Sequence, residues 1–536
     1  MTLRHRLRDR LTDGDGDLPL GLTLLCAAIA ATLVFPLAWL VIEAVAVERE
    51  RALELLFSAG TADVLVNSLL LMAGVTAACV LIGVPLAYLT ARTDLPFRRF
   101  WSITAALPLV IPSYVGAFSF VSAFGPQGEF HEALAPLGVE RVPEISGLWG
   151  SILVITLYTY PYVYLTTRAA LLSFDTSLLE AARTLNHGRM AAFRRVTLPT
   201  IRPAIAAGSL LAALYAVSDF GTPSIMRLPV FTRQIYVEYN AFGRDYAALL
   251  SLQLLVVVVL VLALEWAVRS DRETSGDDAG RTEDRVSLGR LRWPATLLPA
   301  GVAASALLVP LWILGLWLVN SESGRRPSLA FEPIQVLNSV SVSAAAAVVA
   351  ALAAIPVAYF AANHDSPLAV VFERATYVGF AVPGIVLALA LVYFGSGYVP
   401  WVYQTIPLLV FAYVVRFLPQ AVGSARTSIL QVDRRLVEAG RTLGESPTGA
   451  FRRVTFPLVR SGIVAGAALV FLTTMKELPV TLVLRPSGFE TIVTQIWRAQ
   501  STALYQYAVV PTLILLVISG LSMVVILAQE GGEGGL

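Results

Sequence analysis

Charged, sulfur-containing and imidazole side chains are all scarce in this chain of 536 residues. Only 14% of the residues are charged and the formal net charge is +2, so no basic surface for nucleic acid is indicated. The two cysteines, Cys26 and Cys79, lie far apart in apolar stretches, which excludes a disulfide framework or a zinc site. The four histidines are too scattered for a local metal motif, so we expect no cofactor.

Lysine is scarcer still, and Lys476 is the only lysine in the sequence. A phosphate-cradling P-loop needs Gly-Lys-Ser/Thr, and that tripeptide is absent from the sequence. The chain therefore carries no ATPase of that kind. An intramembrane enzyme would need paired aspartates or a histidine-rich metal site within its apolar segments, and the sequence has neither. We expect a protein that is not itself an enzyme.

Apolar residues dominate what is present, with 56% hydrophobic residues and a mean hydropathy of +0.71. A soluble domain cannot hide that much apolar surface from water. Behind a basic N-terminus, an apolar run continues from Leu18 to about Val47. The small residues at 28–30 would suit cleavage of a signal peptide. Because the run continues far enough to cross a bilayer, an uncleaved first span is predicted instead.

Twelve apolar stretches have the length of membrane-spanning helices, which predicts an all-α membrane protein. The predicted spans are 18–46, 63–91, 101–124, 147–168, 203–220, 246–268, 294–319, 335–362, 375–394, 402–425, 461–475 and 504–528. Twelve spans place both termini on one side of the bilayer. The loops on that side hold 27 basic residues and the other loops 11, with Arg416 inside span ten. Because basic loops stay in the cytoplasm, both termini are predicted there and the chain in the cell membrane.

The sequence contains an internal repeat. Asn67-Ser68 recurs as Asn338-Ser339 and Pro112 recurs as Pro383, both at an offset of 271. Matches further along the halves have an offset of 258, because the first half has the longer loop between its third and fourth spans.

This repeat divides the chain into two homologous halves of six spans. The first half is predicted at 1–268, a flexible cytoplasmic linker at 269–293, and the second half at 294–536. With an even number of spans per half, equivalent segments cross in the same direction, and the halves are related by an axis along the membrane normal. A parallel repeat of this kind indicates a central pathway between the halves.

A cytoplasmic segment of each half carries the most similar stretch of the repeat. These segments cover 175–200 and 433–458, and twelve of the twenty positions from Glu180 to Pro199 are identical from Glu438 to Pro457. Each is predicted to form a helix, a sharp turn and a second helix.

The residue types in these segments suit that structure. Asp433 can cap the first helix of the second copy, and Glu438 is expected near its start, where it suits the helix dipole. Gly188 and Gly444 permit a sharp turn. Small residues let another protein approach, and the two prolines are expected to end each segment before the next span: Ala181, Ala182, Ala439, Gly440, Pro199 and Pro457.

Both segments resemble the EAA loop of ABC importer permeases, which reads Glu-Ala-Ala, three residues, Gly, nine residues, Ile/Val-x-Leu-Pro. The second copy departs from it at Gly440 and Phe456, and the first has Asn186 where the family has Gly. In that family the loop docks into a groove of the ATPase subunit, so the resemblance implies two ATPase-coupling loops. The alternative is an amphipathic helix at the membrane surface, anchored by basic residues.

Two carboxylates lie at equivalent places where spans five and eleven end. Asp219 and Glu477 differ by the offset of 258, and ionisable groups at membrane depth often mark transport pathways. Two carboxylates facing one cavity would favour a cation. The alternative is that both are caps at the interface, with Glu477 neutralised by Lys476. Arg416, inside span ten, is expected to bond to a carbonyl of a neighbouring helix.

Together with 160–164 and 415–418, these segments make the chain similar over nearly its whole length to the fused two-half permeases of ferric iron importers. The resemblance implies a type I ABC importer fold, two ATPase subunits and an extracytoplasmic solute-binding protein as partners. Thiamine, polyamine and phosphonate permeases share this architecture and remain alternatives for the solute. A secondary transporter driven by an ion gradient is the alternative from another class.

Overall fold

The structure, a computed structural model, describes residues 20–125, 128–134, 143–173, 193–269, 286–319, 330–364 and 366–531. Most residues in these ranges are helical and no β-strand occurs among them, which confirms the predicted all-α class. Within them nine helices are long and apolar enough to cross a membrane, or eleven if each of two bent helix pairs counts as one span. A shorter apolar helix covers Tyr505–Leu521.

The chain packs as two compact units whose composition does not follow the two sequence halves. The N-unit comprises Glu48–Glu322, and the C-unit comprises Met1–Val47 together with Ser323–Leu536. The first described helix, α1 (Leu20–Ala46), therefore belongs to the unit that the second half builds. Conversely, the first apolar segment of the second half, Pro294–Val319, belongs to the N-unit.

In the described part of the N-unit there are twelve α-helices. They are α2 (Arg49–Leu56), α3 (Ala59–Arg92), α4 (Arg98–Thr104), α5 (Ser113–Phe124), α6 (Glu129–Leu134), α7 (Gly147–Leu172), α8 (Leu198–Ser218), α9 (Gly221–Ile225), α10 (Phe231–Asn240), α11 (Arg244–Arg269), α12 (Leu297–Ala303) and α13 (Val309–Val319). Helices α3, α7 and α8 pack against one another, and buried residues such as Val75, Tyr164 and Ala212 form the core between them.

The described residues of the C-unit form α1 and ten further α-helices. They are α14 (Pro333–Asn363), α15 (Pro367–Ala381), α16 (Gly384–Tyr398), α17 (Ile406–Leu430), α18 (Arg434–Thr442), α19 (Pro447–Ala450), α20 (Phe456–Met475), α21 (Pro479–Leu484), α22 (Ile492–Ser501) and α23 (Val509–Gly531). Helices α14, α17 and α20 pack together as α3, α7 and α8 do in the N-unit.

Aromatic contacts hold the exchanged helices in place. In the C-unit, Trp39 of α1 lies over Tyr398 with ring centroids 4.2 Å apart, and Phe35 meets Phe394 edge-on at 5.0 Å. In the N-unit, Trp317 of α13 stacks on Phe118 of α5 at 5.8 Å. Offset and edge-on ring pairs each stabilise a fold by about 0.5–1.5 kcal/mol beyond the contribution of the apolar area that they bury.

The third span of each half is broken, which the prediction of straight spans at 101–124 and 375–394 missed. The chain bends by 92° ahead of α5 and by 99° ahead of α16. Pro112 and Pro383 immediately precede these helices, and the residue before each proline is extended, with ψ of 124° at Ile111 and 126° at Val382. A proline disfavours the helical conformation of its predecessor, so the repeated proline causes the repeated break.

The prediction that Pro199 and Pro457 end a segment before the next span is also wrong. Each proline is the second residue of a long helix, α8 or α20. The preceding five residues, Phe193–Thr197 and Phe451–Thr455, form a π-helical turn. Proline has no backbone N–H, so it leaves a carbonyl of the preceding turn without its usual helical partner. The wider π-helical turn accommodates this gap, and helical structure continues through it. The helix from Pro447 to Met475 is therefore continuous across 29 residues.

The described end of the predicted linker is hydrogen-bonded. Val286 forms a parallel bridge with Thr93, its amide donates to the carbonyl of Arg92 at 2.8 Å, and the Leu288 amide donates to Oδ1 of Asp94 at 2.8 Å. The prediction of a flexible linker therefore does not apply to Val286–Leu288, which are held by the turn after α3.

Candidate functional site

Asp219 lies at the junction of two helix breaks in the N-unit. Helix α8 ends at Ser218, and Asp219 turns away from it with an extended backbone (φ −69°, ψ 123°). Its Oδ2 accepts a hydrogen bond from the Ser113 hydroxyl at 3.0 Å, and its Oδ1 accepts one from the Gly221 amide at 3.1 Å. The Tyr215 hydroxyl donates to Ser113 Oγ at 3.1 Å. A chain of hydroxyls therefore leads from a phenol to the carboxylate.

Glu477 occupies the equivalent place in the C-unit but has a different partner. Its exposed fraction is 8%, and its Oε2 lies 3.2 Å from Nε of Arg416. Arg416 also donates through Nη1 to the carbonyl of Val382 at 2.9 Å, which confirms the predicted bond to a helix carbonyl. The alternative interpretation had Lys476 neutralise this carboxylate, but its ion-pair partner is Arg416 of α17.

Glycine at position 384 makes room for this pair. Position 384 is equivalent to Ser113 in the first half, at the offset of 271. A Cβ atom there would overlap Oε1 of Glu477 and would lie 3.0 Å from Nη1 of Arg416. Position 416 is likewise equivalent to Tyr158, whose hydroxyl donates to the carbonyl of Ala306 at 3.2 Å. The two halves thus carry matched sets, Ser-Asp-Tyr and Gly-Glu-Arg, at one architectural position.

Sequence reasoning found the two carboxylates but missed Ser113, Tyr215 and Gly384. The repeated prolines could have pointed to two of these residues, because Ser113 directly follows Pro112 and Gly384 directly follows Pro383. These residues begin the helices α5 and α16, and the break directs them toward the end of α8 or α20.

A second candidate site is the segment 433–458, where the predicted helix, turn and helix form. The Asp433 carboxylate caps α18 by accepting from the Arg435 amide at 3.0 Å, as predicted. The helix ends with Gly444 in the left-handed region, at φ 94°. The Glu445 amide donates to the Gly440 carbonyl at 3.2 Å, which closes the turn in the Schellman pattern. Gly444 therefore has the turn role that the sequence predicts.

The position of Glu438 differs from the prediction. It lies in the second turn of α18, whose first turn contains no acidic residue, so Asp433 and not Glu438 faces the positive end of the helix dipole. Gly440 faces inward, where a Cβ would lie 3.3 Å from Cγ2 of Val454, so its small size serves packing within this chain.

Helix α18 presents an apolar stripe away from the rest of the unit. No residue of this helix is buried, and Leu436 and Leu443 are 50% and 86% exposed. Together with the exposed Ala439 they are spaced at i, i+3 and i+7, which places them on one face. An uncovered apolar stripe on a short, well-capped helix is typical of a surface that binds another protein.

Most of the first copy lies outside the described residues. Glu180, Ala181, Ala182, Asn186 and Gly188 belong to that part of the chain. Its described end repeats the second copy, since the π-helical turn Phe193–Thr197 leads into α8 with Pro199 at the same position as Pro457 in α20.

Comparison with protein-family models gives one match that occurs twice in the chain. The model described as binding-protein-dependent transport system inner membrane component matches residues 80–270 and 354–530. The two matched segments fall one in each predicted half.

Comparison with curated proteins gives some relatives that match most of this chain and others that match about a third of it. The chain is 31% identical over 509 residues to the Fe(3+)-transport system permease protein FbpB 2 of Haemophilus influenzae, covering 94% of this chain and 97% of the relative. It is 23% identical over 452 residues to the ferric transport system permease protein FbpB of Actinobacillus pleuropneumoniae, covering 77% of this chain and 63% of the relative. It is 28% identical over 204 residues to the molybdenum transport system permease protein ModB of Escherichia coli, covering 36% of this chain and 87% of the relative.

Proposed function

The chain belongs to the family of binding-protein-dependent transport system inner membrane components, the permeases of ABC importers, and on that premise we propose that its solute is ferric iron. The observation that carries the proposal is the 31% identity to a ferric permease over 94% of this chain. The molybdenum permease matches only 36% of the chain, as expected of a relative that corresponds to one half.

The topology that accompanies this function is twelve spans with both termini in the cytoplasm. Nine single apolar helices, two bent helix pairs that we count as one span each, and the apolar helix α23 support this count of twelve. The excess of basic residues in the loops on the N-terminal side supports the orientation. Under this topology α18 lies in the cytoplasm, and the breaks at Asp219 and Glu477 lie near the opposite face of the membrane.

Two ATPase subunits bind the chain, one at each repeated loop, and a binding protein delivers the solute from outside. The exposed stripe on α18, with the exposed Glu438 and Ala439, supports docking at the second loop, whose shape depends on the inward-facing Gly440 and on the turn at Gly444. By the repeat, Glu180, Ala181, Ala182, Asn186 and Gly188 would serve the first loop. Because α18 turns directly into the continuous helix from Pro447 to Met475, a displacement of the docked loop moves a whole span.

This arrangement suggests a transport cycle. ATP closes the two ATPase subunits, the loops move with them, and the spans expose the pathway to the outside, where the binding protein releases its solute. Hydrolysis in the partner subunits resets the pathway inward. Asp219 and Glu477 are the pathway candidates. The geometry favours Asp219 as the group that meets a cation, because Arg416 neutralises Glu477.

The proposal is tested by reconstituting the permease with its ATPase subunits and binding protein in vesicles. We expect uptake of radioactive Fe(III) that requires ATP inside the vesicle and the binding protein outside. Thiamine, a polyamine, a phosphonate and molybdate, each offered with the binding protein, are the competing solutes. Uptake of one of these and not of Fe(III) would overturn the iron assignment. Uptake that persists without ATP but stops when the ion gradient is dissipated would indicate a secondary transporter.

A further inference from the structure

Four oxygen-bearing side chains meet at the helix breaks of the first half: Tyr162, Tyr215, Ser113 and Asp219. We propose that this group, called here the oxygen cluster, is the site at which the permease contacts a hard trivalent cation in transit. The inference rests on the proposed function, because it takes the solute to be ferric iron. It adds which half receives the ion and through which atoms.

The cluster is assembled from three helices. Tyr162 lies on α7 and Tyr215 on α8, with ring centroids 6.3 Å apart, and Ser113 begins α5. Hydrogen bonds run from the Tyr215 hydroxyl to Ser113 at 3.1 Å and from Ser113 to Asp219 at 3.0 Å. The Tyr162 hydroxyl has no hydrogen-bond partner among the described residues. Tyr162, Tyr215 and Asp219 each keep part of their surface exposed.

The donor atoms of the cluster suit Fe(III) and not a softer metal. All are oxygen atoms, and oxygen ligands select hard cations, whereas thiolate and imidazole select softer ones. No group of three or more His, Cys, Asp or Glu side chains is found among the residues that the structure describes. A cation contact at this place therefore depends on phenol and hydroxyl oxygens. A site with few charged ligands holds its ion weakly enough to release it.

The hydrogen-bond chain also provides for the phenol proton. When Fe(III) binds the Tyr215 oxygen, the O–H bond of Tyr215 breaks. Its proton passes to Ser113, and the proton of Ser113 passes to Asp219. The cluster keeps its single negative charge, which moves from the carboxylate to the oxygen that holds the metal. Asp219 is thus a positioning residue and proton acceptor, and Tyr215 is the contact residue.

The equivalent positions of the second half do not reproduce the cluster. Tyr162 corresponds to Gln420, Tyr215 to Thr473 and Ser113 to Gly384. The Thr473 hydroxyl donates to Oε1 of Gln420 at 3.0 Å, and Arg416 pairs with Glu477. A positive guanidinium beside the carboxylate repels a cation. The ion contact is therefore one-sided, although the architecture is repeated.

The test uses the complete complex in lipid nanodiscs, titrated with ferric nitrilotriacetate. Phenolate bound to Fe(III) produces a charge-transfer absorption in the visible range, which a merely structural hydroxyl would not produce. We expect this absorption in the wild type. Tyr215→Phe should abolish it and Asp219→Asn should weaken it, and each should lower ATP-dependent iron uptake by about tenfold to a hundredfold.

Tyr160→Phe is the matched control, because it removes a tyrosine hydroxyl that lies outside the cluster, two residues before Tyr162 on α7. Tyr160 is fully buried, and its hydroxyl has no hydrogen-bond partner among the described residues. We expect both absorption and uptake to stay at the wild-type level. If Tyr215→Phe proves unstable, Tyr162→Phe and Ser113→Ala each remove a single oxygen from the cluster and answer the same question.

The outcomes separate the cluster from the proposed function. If the wild-type complex transports Fe(III) while the variants of the cluster keep normal absorption and uptake, the cluster is wrong and the iron permease stands. If the wild-type complex transports another solute and not Fe(III), the proposed function fails first. Absorption that is lost equally in Tyr160→Phe would also overturn the assignment to these oxygens.

Discussion

The two halves of this permease agree in architecture and differ in chemistry at one place. Each has a proline-broken third span and a long helix that ends beside the break. In the first half the carboxylate there accepts from a serine, and in the second it pairs with an arginine. The comparison teaches that a repeated backbone does not require repeated side-chain chemistry, provided that exchanges at neighbouring positions compensate one another.

The largest effect is expected where the halves agree most in sequence, at the two proposed ATPase-coupling loops. Reversing the charge of both Glu180 and Glu438 to lysine should reduce transport to background, since neither loop would then hold its ATPase subunit. Co-purification of the ATPase and solute uptake are the measurements. Because Glu438 is exposed, the thermal stability of the purified chain should not change. Normal transport and normal ATPase attachment in the double variant would contradict the coupling role.

The second-largest effect is expected at the Arg416–Glu477 ion pair, where the halves differ most. Arg416→Met leaves Glu477 buried without its partner, which should lower the free energy of unfolding by about 3–5 kcal/mol. The measurement is thermal unfolding of the purified chain in detergent. In the first half, Tyr158→Phe removes only the hydrogen bond to Ala306 and should cost about 1 kcal/mol.

A double variant serves as the control for this pair. Arg416→Met combined with Glu477→Gln removes both charges, so most of the lost stability should return. Equal losses of stability in Arg416→Met and in the double variant would show that the guanidinium acts by packing and not by neutralising the carboxylate.

A smaller effect is expected from exchanging the residues that begin α5 and α16. Gly384→Ser places a side chain against Glu477 and Arg416 and should cost about 1–3 kcal/mol from overpacking. The reverse exchange, Ser113→Gly, removes a hydrogen bond to Asp219 and should cost about 1 kcal/mol. Thermal unfolding of the two variants side by side measures the difference. A larger loss for Ser113→Gly would contradict the steric argument.

The smallest effect is expected at the turn after α18. Gly444 has φ 94°, so Gly444→Ala should cost about 1–2 kcal/mol from strain. Gly444→Asn, which introduces the residue found at the equivalent position 186, should cost less, because asparagine tolerates the left-handed region better. Proteolysis of the 433–458 segment compares the two. Equal susceptibility would show that the first copy ends its helix differently.

The sequence predicted the helical class, the repeat and most span positions, because apolar run length and repeated residues are local signals. It predicted the turn at Gly444 and the cap at Asp433 for the same reason. It missed the ion-pair partner of Glu477, because Arg416 is distant in the chain and the adjacent Lys476 was the obvious candidate for neutralising the carboxylate. It also missed the broken spans, although Pro112 and Pro383 were recognised as a repeated pair, because apolar composition alone does not reveal a bend.

The exchange of α1 has a consequence for how the protein is made. Helix α1 leaves the ribosome long before its aromatic partners, because Phe394 and Tyr398 lie 359 residues beyond Phe35 and Trp39 in the chain. At translation rates of about 5–20 residues per second, it waits in the lipid for roughly 20–70 seconds before they emerge. Its exposed apolar surface must be tolerated by the bilayer or shielded by an insertion chaperone during that interval. The packing of α1 can therefore be completed only after the second half of the chain has been synthesised.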